Sequence, residues 1–183
     1  MNLQEYIDYV LSISTQTATE PHGLPILDAQ MAVEVFLPAI FRQVTRRALR
    51  NNKQHSLMNE HTIAVVSESG TLPAGVEEEF ACTFQVGEDN TNLGLFSWYP
   101  SYFDYIRETD TRLPRFTVRD RKIYVTKEGS VADGNILLYG LTIPQVPADA
   151  TTAIDVGDEI LDDCLTLSAS VLRGEVPMSV IGL

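Results

Sequence analysis

Five cations fall within twelve residues, at Arg42, Arg46, Arg47, Arg50 and Lys53, with no acid among them. At that density the side chains could grip a carboxylate-rich partner or a phosphate backbone. They also suit the end of a helix, where cations complement the macrodipole. Acids collect elsewhere: Glu77, Glu78 and Glu79 run consecutively, and Asp155, Asp158, Glu159, Asp162 and Asp163 open the last helical pattern. That series lacks the alternating ligands of a calcium loop, so helix capping, solvation or an acidic contact surface accounts for it. His55 and His61, with Glu60 between them, do not share the spacing of a same-face helical metal pair. Cys82 and Cys164 lie far apart and are expected to be free, buried thiols. No nucleophile elbow and no phosphate-cradling glycine loop occurs. The chemistry-bearing residues thus name no catalytic, cofactor or metal site. They point to contact between surfaces, and an enzyme is not expected.

Charge layout supports that emphasis. The chain has 183 residues, 44% apolar and 21% charged, with a net charge of −12. This composition belongs to a folded globular chain with a sizeable core. Lys and Arg are absent from residues 1–41 and 54–106, seven lie between Arg107 and Lys127, and only Arg173 follows. Two basic zones therefore sit on an acidic body. A dedicated DNA-binding protein would be net basic, so that class is disfavoured. No apolar run is long enough to span a membrane, and the first residues lack the basic region of a secretory signal.

The elements that position these residues are legible from periodicity. Leu3, Tyr6, Ile7, Val10 and Leu11 form an amphipathic helical stripe over 3–14, followed by a polar linker rich in Thr, Pro and Gly. Asp28 reads as the N-cap of a second helix reaching about residue 52, with Pro38 kinking it or starting a new segment. Phe80 to Val86 alternates as a strand, and 70–75 reads as a turn. Trp98 to Ile106 is the aromatic centre, read mainly as core; an exposed contact patch or a base-stacking surface near Arg107 and Arg112 is the alternative. Phe116–Val118 and Ile123–Val125 flank a polar hairpin tip. Ile136–Ile143 reads as a central strand buried on both faces, stopped by Pro144 and Pro147. Residues 152–155 cap a closing helix, and the apolar tail from Glu175 is expected to dock on a neighbour. The expected class is α+β: N-terminal helices, an antiparallel β-sandwich or barrel-like sheet, and a C-terminal helix. Three regions follow: a helical one at 1–55, a β-rich domain at 56–147, and the closing helix and tail at 148–183, packing back on the core or on a neighbour.

The order of segments then carries a resemblance. Glu34-Val35-Phe36-Leu37-Pro38-Ala39-Ile40 with its basic continuation precedes Gly70-Thr71-Leu72-Pro73-Ala74-Gly75-Val76. Next come Ser97-Trp98-Tyr99-Pro100-Ser101-Tyr102-Phe103-Asp104-Tyr105, the pair from Arg115 to Val125, Ile143-Pro144-Gln145-Val146-Pro147, and a terminal helix. Over roughly residues 30–173 this layout resembles the head-to-tail connector, or neck adaptor, proteins of tailed bacteriophages. The resemblance implies a structural virion protein made in the host cytoplasm: a homo-oligomeric ring beneath the portal that continues the DNA channel and docks the tail. It implies no enzymatic activity, no cofactor and no membrane. Under it, the helix bearing Arg42, Arg46, Arg47, Arg50 and Lys53 is expected to meet the portal or another partner. Some of Glu77, Glu78, Glu79, Asp158, Asp162 and Asp163 are expected to line the channel, where acid lets DNA pass without specific binding. A capsid cement or decoration protein is the alternative structural role. A small cytosolic enzyme assembled from scattered carboxylates and tyrosines is the catalytic one.

Overall fold

In the computed structural model, which describes residues 1–17, 26–107, 113–127, 130–131 and 133–182, the chain divides into two units. The first joins Met1–Leu57 to Ile143–Leu183, and the second is Met58–Thr142. In chain order the helices are α1 (Leu3–Thr17), α2 (Ile26–Arg50), α3 (Tyr102–Arg107), α4 (Asp158–Leu172) and α5 (Met178–Ile181). The strands are β1 (Met58–Val65), β2 (Ser69–Thr71), β3 (Gln85–Gly87), β4 (Ser97–Trp98), β5 (Arg115–Arg119), β6 (Lys122–Lys127), β7 (Ser130–Val131) and β8 (Gly134–Leu141). Short 3₁₀ turns cover Gln54–Leu57 and Glu78–Thr83. The class is the expected α+β, with helices first and a helix closing the chain. The residues of the expected linker from 18 to 25, and Arg112, lie outside the described residues.

The first unit is a helical cluster in which α4 packs on both α1 and α2. Of the stripe read from the sequence, Leu3, Tyr6, Ile7 and Val10 are buried on α1 and Leu11 is half-buried; Ile160, Cys164, Leu167 and Val171 are buried on α4. From α2, Val33, Phe36, Leu37, Ile40, Phe41, Val44 and Ala48 complete the core. One polar pair sits inside it: the Tyr6 hydroxyl and Ser168 Oγ are 2.7 Å apart and satisfy each other. Burial pushes the Tyr6 phenol well above its usual range and the Cys164 thiol up to about 12, so neither ionises at neutral pH. The start of α1 is a capping box: Glu5 N–H donates to Asn2 Oδ1 and Asn2 N–H to Glu5 Oε2, each at 2.8 Å.

Several helix ends differ from expectation. The α1 helix continues three residues beyond Ser14, and α2 already runs at Ile26, so Asp28 lies inside it and is not its cap. Pro38 neither breaks α2 nor starts a new helix; it sits on the exposed side of a continuous element. The closing helix begins at Asp158 with Gly157 as N-cap, not within 152–155. At its other end Gly174, at φ 71°, closes a Schellman turn: its N–H reaches Val171 O and that of Glu175 reaches Ser170 O. The apolar tail folds back in the same chain, with α5 on α2 and Ile181 buried.

The second unit holds two sheets. One has the order β1-β8-β3; the other has β2-β6-β5-β4, with β7 also on β6. All pairs are antiparallel except β4 with β5. As expected, β8 is central, flanked on both sides, but only Ile136, Leu138, Gly140 and Leu141 are fully buried. Residues 70–75 are not only a turn, since β2 begins the second sheet there. Residues 80–86 are not one strand either. Phe80 and Ala81 are consecutive buried residues on a 3₁₀ turn, Thr83 Oγ1 donates to Phe80 O at 2.7 Å, and pairing starts only at Gln85. That turn leaves Cys82 exposed, not buried as expected.

Candidate functional site

Two surfaces gather the residues singled out by their chemistry, one in each unit. In the first, Arg42, Arg46 and Arg50 follow one i, i+4 ridge of α2, joined by Arg47. Arg42, Arg47 and Arg50 are exposed and Arg46 is half-buried. The helix ends in a second Schellman turn. Asn52 takes φ 56°, and Lys53 N–H reaches back to Ala48 O at 2.8 Å. This turn aims Lys53 at the first turn of α4, where its ammonium donates to Glu159 Oε1. The bond to Glu159, helped by the nearby charge of Asp163, holds the lysine above its usual range. Sequence reading treated the basic cluster and the acids of α4 as separate sites; the fold brings their edges together.

The acidic set itself is divided. Asp158, Asp162 and Asp163 are exposed on α4 in the first unit. Glu77, Glu78 and Glu79 lie in the second, at the start of the 3₁₀ turn. There Glu78 Oε2 accepts from Asp120 N–H at 3.2 Å, so this carboxylate holds the β5–β6 hairpin tip. Asp120 and Arg121 both have positive φ, 52° and 59°, as a type I′ turn requires. Neither is glycine, and the strain is offset by local anchors. Besides Glu78, Leu72 N–H donates to Arg121 O at 3.0 Å, and the Arg121 guanidinium donates to Pro73 O.

The aromatic segment is the main surface of the second unit. Ser97 N–H donates to Pro114 O and Tyr99 N–H to Phe116 O, each at 2.9 Å, which lays 97–99 along β5. Ser101 then starts α3, its Oγ accepting from Asp104 N–H, and α3 packs on β5. The inner side of α3 is a tyrosine–arginine stack. Tyr102 lies 6.2 Å from Tyr105 and 5.0 Å from Tyr124, with Arg119 over its ring at 5.3 Å. Arg115 lies over Tyr105 at 5.4 Å. Burial raises the Tyr105 phenol above its usual range, and its hydroxyl bonds Thr126 Oγ1.

The outer side is apolar and open. Phe103 is 63% exposed and Ile106 54%, while Trp98, Leu95 and Leu113 also face outward. The segment thus divides: Tyr105 is core, as is Phe96 just before it, whereas Phe103 and Ile106, three residues apart on α3, are exposed. The sequence marks 98–106 as an aromatic centre without separating its covered side from its open one. The i, i+3 pair Phe103–Ile106 was the available signal. Among the described residues, no three His, Cys, Asp or Glu side chains gather in a group that could hold a metal ion, and no helix is long and apolar enough to cross a membrane. His55 and His61 fall in different units; His61 Nε2 pairs with Thr142 Oγ1 at 2.9 Å, and burial lowers its pKa.

No protein-family model matches the sequence, and no curated protein does.

Proposed function

We propose that the protein is a structural component of a virion neck, a head-to-tail connector that assembles as a ring beneath the portal, continues the DNA channel and docks the tail. The observation that carries this reading is the outward apolar patch on β4 and α3. Five of the eleven large apolar side chains exposed among the described residues lie between Leu95 and Leu113. Apolar surface concentrated in this way, and rimmed by charge, marks a contact with another protein. The order of segments resembling neck adaptors adds the kind of assembly.

Within this reading the cationic ridge Arg42, Arg46, Arg47 and Arg50 meets the portal, with Lys53 tethered to α4. Some of Glu77, Glu78, Glu79, Asp158, Asp162 and Asp163 face the channel, where carboxylates repel phosphate and keep DNA from sticking. Glu78 also holds the hairpin tip through its carboxylate.

The test is binding to purified portal against binding to empty capsid shells. A connector binds the portal and ignores the shell; capture by the shell alone identifies a cement protein. Reversing Arg46 and Arg47 to Glu is expected to abolish assembly of filled, tailed particles. Unchanged assembly would remove the ridge from the portal contact.

A further inference from the structure

We infer that the β4–α3 face of the second unit docks on the α1–α4 face of the first unit in another copy of the chain. This rests on the ring reading and assigns its subunit contact.

The two faces are complementary in charge. On β4, α3 and β5 the exposed charged residues are Asp104, Arg107 and Arg119, two cations to one acid in a chain of net charge −12. Arg107 is exposed at the end of α3 beside Ile106, and Arg119 is exposed over Tyr102. By contrast, α1 and α4 carry Glu5, Asp8, Asp158, Glu159, Asp162 and Asp163 and no basic residue, and all six acids are exposed. The two helices pack on each other, so these acids belong to one helical layer. Tyr9, 48% exposed on α1, adds an aromatic group that an apolar patch can cover.

A contact between two different faces of one chain, in the ring reading, joins each copy to two neighbours. Each added copy leaves one face of each kind open, so the contact propagates until a ring closes or a filament grows. An isologous dimer would instead bring like-charged surfaces together, which opposes association. The assignment also reserves Asp162 and Asp163 for subunit contact and leaves the Glu77–Glu79 run as the acids available to a channel wall.

The experiment uses the full chain in two double variants, Phe103→Ser with Arg107→Ser, and Asp162→Lys with Asp163→Lys. All four side chains are exposed, so each variant is expected to keep the wild-type circular dichroism and melting temperature. Sedimentation should show the wild type growing past a dimer with concentration. Each variant alone should be monomeric, its self-association weakened at least about a hundredfold. Mixed in equal amounts they should form a one-to-one pair and nothing larger, because each retains one intact face. A monomeric or strictly dimeric wild type, or folded variants that fail to pair, would overturn the inference. Wild-type assembly persisting in both variants would overturn it while leaving the ring reading intact. Loss of binding to a DNA duplex by the Phe103 variant, with self-association unchanged, would make the face a nucleic-acid contact instead.

Discussion

The helical unit and the β-rich unit solve the same problem in opposite ways. In the helical unit, long amphipathic stripes close on one another. Large side chains such as Tyr6, Phe36, Phe41 and Leu37 are fully buried, and helix ends are stopped by Schellman turns at Asn52 and Gly174. The β-rich unit has short strands joined by tight connections. Two of these place non-glycine pairs at positive φ: Ser67–Glu68 and Asp120–Arg121. It also leaves Phe103, Ile106 and Leu113 outside its core. The difference teaches where function is carried. Both units expose large apolar side chains, but those of the first (Met1, Tyr9, Val35, Met178 and Val180) are scattered along the chain, whereas five of those in the second fall between Leu95 and Leu113, the surface that the proposed reading gives to a partner.

The comparison can be broken most severely in the helical core. Phe41→Ala removes a fully buried ring and should cost about 3–5 kcal/mol, measured by denaturant unfolding, with loss of amide protection in α1, α2 and α4. A cost below about 1 kcal/mol would mean that this core is not closed as described. Next in size is a backbone contact of the β-rich unit. A Cβ at Gly87 would lie 2.3 Å from Asn92 O, so Gly87→Ala should destabilise by about 1–3 kcal/mol. Smaller, and of opposite sign, is Arg121→Gly at the hairpin tip. Relief of the positive φ should stabilise by roughly 0.5–1 kcal/mol, less what the guanidinium bond to Pro73 O contributes. A clear loss of stability would show that the side-chain anchor outweighs the strain.

The smallest effect is one of pH. Burial lowers the folded pKa of His61 below its unfolded value of about 6.5. The unfolded chain therefore binds the proton more readily, and stability present above that value is lost as pH falls through the folded pKa. Replacing His61 with Asn should flatten the stability profile just below pH about 6.5 relative to wild type. A steeper profile in the variant would reverse the sign assigned to the half-buried ring.

Legibility in the sequence followed the length of each pattern. The α1 stripe repeats over several turns, and of its five residues Leu3, Tyr6, Ile7 and Val10 are buried while Leu11 is half-buried. The β5–β6 hairpin was equally plain, since Phe116, Val118, Ile123 and Val125 alternate around a charged tip. Short elements were not legible. The alternation of Phe80, Cys82, Phe84 and Val86 imitates a strand because a single 3₁₀ turn is too brief to show its own period. The β1–β2 connection at Ser67–Glu68 carries no Gly or Asn to announce positive φ, and it is supported from a distant position by Ser67 N–H donating to Asp133 Oδ1. The helix start at Asp158 was missed because Gly157 caps it without a side chain, while Thr151, Thr152 and Asp155 mimic a cap nearby. Of the candidate sites, the basic ridge was visible as spacing on one helix. The Lys53–Glu159 contact was not, because it joins residues over a hundred positions apart. The outward patch was hidden because Phe103 and Tyr105 have the same apolar look, and only docking of α3 on β5 decides which side of that helix is covered.

The most direct test of the central claim, a protein built to be covered by copies of itself and by the portal, is the native mass of the full chain mixed with purified portal. The account predicts a single large species containing the portal and a closed ring of many copies. A portal of unchanged mass beside free monomer would contradict it.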